Sequence, residues 1–251
     1  MRRLRRTGTF VCLAASLVGV WAGAAQSVVV RHDRPDSETL QLGERFAAVG
    51  RVLPDGGCTL IAPTWIATAA HVAAGVPHDG RVRFGDREYA VKQVVIHPEG
   101  TAPEGVPPEV DLALIELAEA VEGVEPVELY RGRDELGRTL FIVGYGDHGS
   151  PSAALARADG RRRAVTNVVT DAGPRRIFMV FDEPPPGSAL EGVGGPGDSG
   201  GPALIVEGDR VFLAGVSSAS MNGRPGQYGV TDVYTRISSY AEWIEKTVGA
   251  R

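Results

Sequence analysis

The chain has only two cysteines in 251 residues, Cys12 and Cys58. Arg2, Arg3, Arg5 and Arg6 form a basic stretch ahead of an apolar run from Phe10 to about Ala24, and Gly23, Ala24 and Ala25 offer small residues for cleavage. This pattern reads as a secretory signal peptide over residues 1–25, too short and wrongly flanked for a spanning helix. Removing it takes Cys12 away and leaves Cys58 alone, so the exported protein has no internal disulfide. Cys58 is then expected to be a small buried core residue. No other stretch is apolar enough to cross a membrane, and Cys12 is not placed after the apolar run as a lipid anchor requires. A soluble protein, secreted or periplasmic, is expected. The Arg5-Arg6 pair leaves both the general and the twin-arginine export routes open.

Positive charge is also scarce. The formal net charge is −5, and loss of the four leader arginines makes the remainder more acidic still. An acidic surface without a basic stripe argues against nucleic acid as a partner. No H-E-x-x-H occurs, so zinc-dependent hydrolysis has no support. There are no repeats and no low-complexity segments.

Glycine and proline, by contrast, are plentiful, at 33 and 17 residues. They punctuate short β-type runs: Phe46–Leu53, Thr59–Ala62, Trp65–Ala69, Arg81–Phe84, Tyr89–His97, Leu140–Val143, Ile177–Phe181 and Val211–Ser217, the last continued by Ser218-Ala219-Ser220. Residues 98–109 form a Pro/Gly/Glu loop. Asp111 opens the alternating run Asp-Leu-Ala-Leu-Ile-Glu-Leu, read as a strand. Acidic and turn residues from Val121 to Gly137 suggest a crossover between two halves. Arg161-Arg162-Arg163 is read as an exposed strand entry and a site open to proteolytic nicking. Ser239 and Glu242 form a capping box for an amphipathic helix carrying Tyr240, Trp243, Ile244 and Val248 on one face. Asp86, Glu88 and Glu99 offer oxygen ligands for a calcium ion, but their spacing is not a recognised ligand pattern; they are read as solvated turn residues and no metal is assigned. His32, His78, His97 and His148 are read as core or solvated residues.

The densest cluster is Gly195-Pro196-Gly197-Asp198-Ser199-Gly200-Gly201-Pro202. A serine held on such a turn can attack a carbonyl while nearby amides stabilise the oxyanion. Upstream lie Thr68-Ala69-Ala70-His71 and Asp111-Leu112-Ala113-Leu114. The G-x-S-x-G pattern at 197–201 also fits an α/β-hydrolase esterase, but that fold needs a histidine after the serine and none follows position 199. A subtilisin-like order could recruit Asp33 or Asp36, but it needs a helix-rich parallel α/β chain.

The segment 197–202 resembles the nucleophile motif of trypsin-like, chymotrypsin-fold serine proteases. Thr68–His71 resembles that family's histidine motif and Asp111–Leu114 its aspartate motif. Asp232–Arg236 and Tyr240–Ile244 resemble its last strand and closing helix. The similarity covers about Phe46 to about Thr247. It implies an all-β fold of two six-stranded antiparallel Greek-key barrels with a short C-terminal helix. The implied boundaries are about 28–125 and 136–237 for the barrels and about 239–248 for the helix, within a mature domain of 26–251. It implies a monomeric endopeptidase needing no cofactor and acting on polypeptides. Ser199 is then the nucleophile, His71 the general base and acid, Asp111 the orienting carboxylate, and Gly197 and Ser199 the oxyanion donors. A catalytically silent binding protein on the same fold, or an esterase, is the alternative.

The chain departs from the family where bridging cysteines are common: Val72 follows His71, and Gly195 sits in the specificity loop. The resemblance also suggests activation by a new N-terminus among Val28-Val29-Val30, whose ammonium would meet Asp198. It places Val193 at the base of the primary pocket, Ser218 along it, Ser220 at its mouth and Asp232 on its wall. Valine offers no counter-charge, whereas Asp232 could serve a basic side chain. That carboxylate is expected either to meet a cation or to stay solvated.

Overall fold

The computed structural model describes residues 28–100, 110–151, 155–185, 187–224 and 226–249. The expected signal peptide and most of the 98–109 loop lie outside them.

The first half contributes β1 (Val29–Val30), α1 (Asp36–Gly43), β2 (Val49–Val52), β3 (Gly57–Ala62), β4 (Trp65–Thr68), α2 (Ala70–Ala74), β5 (Arg81–Phe84), β6 (Arg87–Ile96) and β7 (Ala113–Leu117). The second contributes β8 (Glu128–Leu129), β9 (Thr139–Gly144), β10 (Arg163–Ala172), β11 (Arg176–Val180), β12 (Gly192–Val193), β13 (Pro202–Glu207), β14 (Arg210–Met221), β15 (Thr231–Arg236) and α3 (Ala241–Gly249). Strands β2-β3-β4-β7-β6-β5 close into one antiparallel barrel. Strands β13-β9-β10-β11-β15-β14 close into another through the β13–β14 pairing, with β8 added in parallel to β14. Closure removes the exposed sheet edges that would otherwise template association.

The larger apolar core runs from barrel one (Leu60, Ile66, Leu114, Ile115) across the seam to Val143, Leu204 and Leu213 and on to Ile244 of α3. A second fills barrel two around Leu140, Ile142, Val165, Met179 and Tyr234. Cys58 is fully buried in the first core, and burial pushes its thiol well above the ordinary range. The missing bridge beside His71 is replaced by packing: a Cβ on Gly56 would meet Val72 Cγ1 at 2.5 Å, so the two residues already close the gap.

Several expectations need correction. The run at Asp111 becomes a strand only at Ala113, and all five strand residues are buried. Glu116 is accommodated there because Lys92 and Gln93 bind its carboxylate at 2.9 and 2.8 Å. Arg161-Arg162-Arg163 does enter strand β10, but only Arg161 is exposed as expected. Arg163 is 1 % exposed, held by Asp36 of α1 at 2.7 Å and Asp159 at 2.8 Å, while Arg162 donates to the Gly43 carbonyl and the Tyr145 hydroxyl. Two carboxylates make that burial tolerable for a guanidinium. The crossover is similarly tied down, because Glu135 is wholly buried against Arg236 of β15. Ser239 does not complete a capping box. Its hydroxyl donates to the Pro174 carbonyl and accepts from Arg133 within a short 3-10 turn, and α3 begins at Ala241. His97 is a core residue, with its ring packed edge-on against Tyr240 and Trp243.

Candidate active site

His71 lies in α2, a five-residue helix entered directly from β4. Asp111 precedes β7, which pairs with β4 so that Thr68 faces Ala113. This pairing brings the two side chains together across one sheet contact. His71 Nδ1 is 2.7 Å from Asp111 Oδ2, and the His71 backbone N–H donates to Asp111 Oδ1 at 3.0 Å. A carboxylate at Nδ1 fixes the proton there and leaves Nε2 free to accept one.

Asp111 is itself braced. The Ser218 hydroxyl donates to its Oδ2 at 2.8 Å, and the Thr235 hydroxyl donates to its backbone carbonyl at 2.9 Å. Burial pushes the Asp111 carboxyl upward, but the bonds from His71 and Ser218 outweigh it and hold the group below the usual carboxylate range. Ser218 owes its position to a bulge. The β14–β15 register passes from Ser217↔Tyr234 to Ala219↔Val233, so Ser218 has no partner opposite and its side chain is re-aimed. The resemblance places Ser218 along the pocket and gives no sign of this bond from its hydroxyl to Asp111.

Ser199 stands on the turn between β12 and β13. Gly197 has φ 95° and Gly200 φ 81°, left-handed values that favour glycine, and a Cβ at Gly200 would lie 2.6 Å from the Gly57 carbonyl. The turn is locked to barrel one by the Gly57 N–H donating to the Ser199 carbonyl at 2.7 Å. His71, Ser199 and Gly197 line one cleft of about 320 Å³ at the seam.

Asp198, next to the serine, is fully buried. Its Oδ1 accepts from Tyr145 N–H at 3.2 Å and Gly146 N–H at 3.3 Å, and its Oδ2 from Gly195 N–H at 3.1 Å. Burial pushes its carboxyl up to about 7 despite these donors, and the nearby Asp232 adds to the rise.

Among the described residues Asp232 meets no cation, and it does not reach solvent. It is 2 % exposed, directly opposite Ser220 in the β14–β15 ladder, with the Ser220 hydroxyl on Oδ1 at 2.9 Å and Gly194 N–H on Oδ2 at 2.7 Å. Cross-strand geometry supplies the hydrogen bonds that water or a cation was expected to supply. Burial pushes this carboxyl up to about 7 as well. Val193 is buried with Val29, Phe181 and Val230 in a small apolar cluster, paired with Val29 across β1–β12.

Among the described residues no group of three or more His, Cys, Asp or Glu side chains could hold a metal ion. Glu88 and Glu99 are engaged by Arg83 and Arg175. No helix among those residues is long and apolar enough to cross a membrane.

Comparison with known proteins agrees with this architecture. The family model described as Trypsin matches residues 41–244. An uncharacterised peptidase of Corynebacterium glutamicum (strain R) is 30 % identical over 200 residues, covering 76 % of this chain and 63 % of that protein. Kallikrein-8 of Rattus norvegicus is 27 % identical, covering 94 % of this chain and 93 % of its own. The solved structure of neuropsin, a serine protease from mouse brain, superposes with a TM-score of 0.67 at 22 % identity, covering 88 % of this chain and 99 % of that one, and so shares the fold. With its two closed six-stranded barrels and a family match over most of its length, the chain belongs to the trypsin family of chymotrypsin-fold serine proteases.

Proposed function

We propose that this protein is an exported endopeptidase that cleaves polypeptides through an acyl-enzyme on Ser199. The observation that carries the reading is the Asp111–His71 hydrogen bond, at 2.7 Å, facing the cleft that Ser199 shares. In this scheme His71 Nε2 takes the Ser199 proton as the hydroxyl attacks the scissile carbonyl, then returns it to the leaving amine. Asp111 stabilises the imidazolium formed in between. The N–H groups of Gly197 and Ser199 receive the oxyanion. The acyl side of the substrate extends along Ser218–Ser220 as an added strand.

A fluorophosphonate probe tests this directly. Folded protein is expected to be labelled stoichiometrically, with the adduct mapped to Ser199. Folded protein that stays unlabelled after its N-terminal segment has been removed would count for a binding protein on this fold.

Activation is read as requiring a new N-terminus at one of Val28, Val29 or Val30. In support, β1 is paired to β12, the strand that leads to Asp198, and Asp198 has three amide donors but no cation among the described residues. A buried carboxylate in that state is costly, and an incoming ammonium offsets the cost. N-terminal sequencing of active enzyme should start at one of these valines, and Asp198→Asn should lower kcat/KM by about a hundredfold or more. Active enzyme that begins well upstream, together with a fully active Asp198→Asn, would sink this route.

A further inference from the structure

The cleft beside Ser199 extends to one side only. Besides His71, Gly197 and Ser199 its walls are Val52–Gly56 and the Val72, Gly75 and Val76 positions of α2 and its end, and it touches none of Val193, Ser218, Ala219, Ser220 or Asp232. If the acyl half of a substrate lies along Ser218–Ser220, this space lies across the scissile bond and receives the residues that depart with the new amine.

Its chemistry is mixed in a specific way. Val52, Leu53, Val72 and Val76 supply aliphatic surface, and the first and third of these are buried. Asp55 also lines the cleft, an exposed carboxylate that makes no hydrogen bond or ion pair among the described residues. Of the nearby arginines, Arg83 is committed to Glu88 and Arg87 to Glu119 and Glu122, and Arg51 and Arg81 make no ion pair with Asp55. Space is left because Gly75, at the end of α2, projects nothing into it. An aliphatic channel with a free carboxylate in its lining complements a side chain with an apolar stem and a cationic head, which can lay its methylenes on the walls and keep its charge at the exposed carboxylate. The acidic net charge of the chain favours the same kind of substrate at the encounter stage.

We propose that this cleft is a specificity pocket for lysine or arginine at one of the first two residues following the scissile bond, with Asp55 as the counter-charge. The proposal rests on Ser199 being the nucleophile, so its test has two readouts. Peptides with a constant acyl half and Lys, Arg, norleucine or Glu at each of the two following positions are given to the wild type. The matching amine-terminal fragments are titrated onto Ser199→Ala protein by fluorescence anisotropy.

Lys and Arg should exceed Glu by about tenfold or more, and norleucine by about fivefold, at the same position in both measurements. Asp55→Asn should bring Lys and Arg to within about twofold of norleucine. Gly75→Leu has a backbone φ of −87° that tolerates any side chain, and by filling the channel it should weaken every long side chain alike. Cleavage with a flat profile at both positions overturns the pocket and leaves the nucleophile in place. Norleucine equal to Lys, with Asp55→Asn silent, overturns the role of Asp55. Selective binding of Lys and Arg fragments without any cleavage by the wild type supports the pocket and sinks the peptidase reading instead.

Discussion

Ser199→Ala is expected to lower turnover by about 10⁴ or more, and His71→Ala by a comparable factor. The reason is that in the proposed mechanism the two side chains act in one proton transfer. Without the hydroxyl, His71 has no proton to take; without the imidazole, the hydroxyl has no base within reach. Combining the two changes should therefore cost little more than either alone, because each already disables the same step. Neither should unfold the protein. Ser199 is only partly buried and His71 is exposed, so neither leaves a large core cavity. Turnover on a peptide substrate, measured beside a thermal melt, separates loss of chemistry from loss of fold. A purified Ser199→Ala protein hydrolysing at the wild-type rate would remove Ser199 from the mechanism.

A second large effect is expected at a position that carries no functional group. A Cβ on Gly144, at the end of β9, would overlap the Asp198 carboxylate. Neither side has room to give: Gly144 is paired to Arg163 in the β9–β10 ladder, and Asp198 is fully buried under three amide donors. Gly144→Ala must displace Asp198, and with it the turn that carries the Gly197 and Ser199 amides, the proposed oxyanion donors. Losing a placed oxyanion donor costs about 10²–10³ in kcat, and overpacking of this kind costs about 1–3 kcal/mol of stability. We expect kcat/KM to fall by at least about a hundredfold, while circular dichroism retains the native β signal. Activity within about twofold of wild type would show that Asp198 does not set the geometry of that turn.

The parts of the candidate site that were legible in the sequence are those whose signal is local. Ser199, His71 and Asp111 each lie in a short, compositionally distinctive segment, and glycines at 197 and 200 announce a left-handed turn before any fold is known. What it hid was decided by residues far away along the chain. The burial of Arg163 depends on Asp36, 127 positions earlier, and from the sequence alone three consecutive arginines look like surface. The role of Ser218 depends on a bulge, which breaks the alternation used to assign faces. Asp232 was expected to need a cation or solvent because nothing nearby in sequence shows that Ser220 sits opposite it and that Gly194 N–H donates to it. Helix α1 was invisible for another reason: only Thr39 and Gly43 of its eight residues are buried, so no apolar stripe marks it.

That helix has a kinetic consequence. Asp36 anchors α1 to Arg163 of β10, and only residues 31–35 separate α1 from β1. A chain cut ahead of Val28 therefore keeps its new terminus on a short tether whose far end is fixed to barrel two. Such a terminus searches a volume of a few residues' reach, where the effective concentration of one end for its site lies in the millimolar range or above. Closure of so short a segment also forfeits little chain entropy. In the proposed activation route α1 and its buried arginine would act as the mooring, so that the terminus would dock by first-order motion at a rate independent of enzyme concentration.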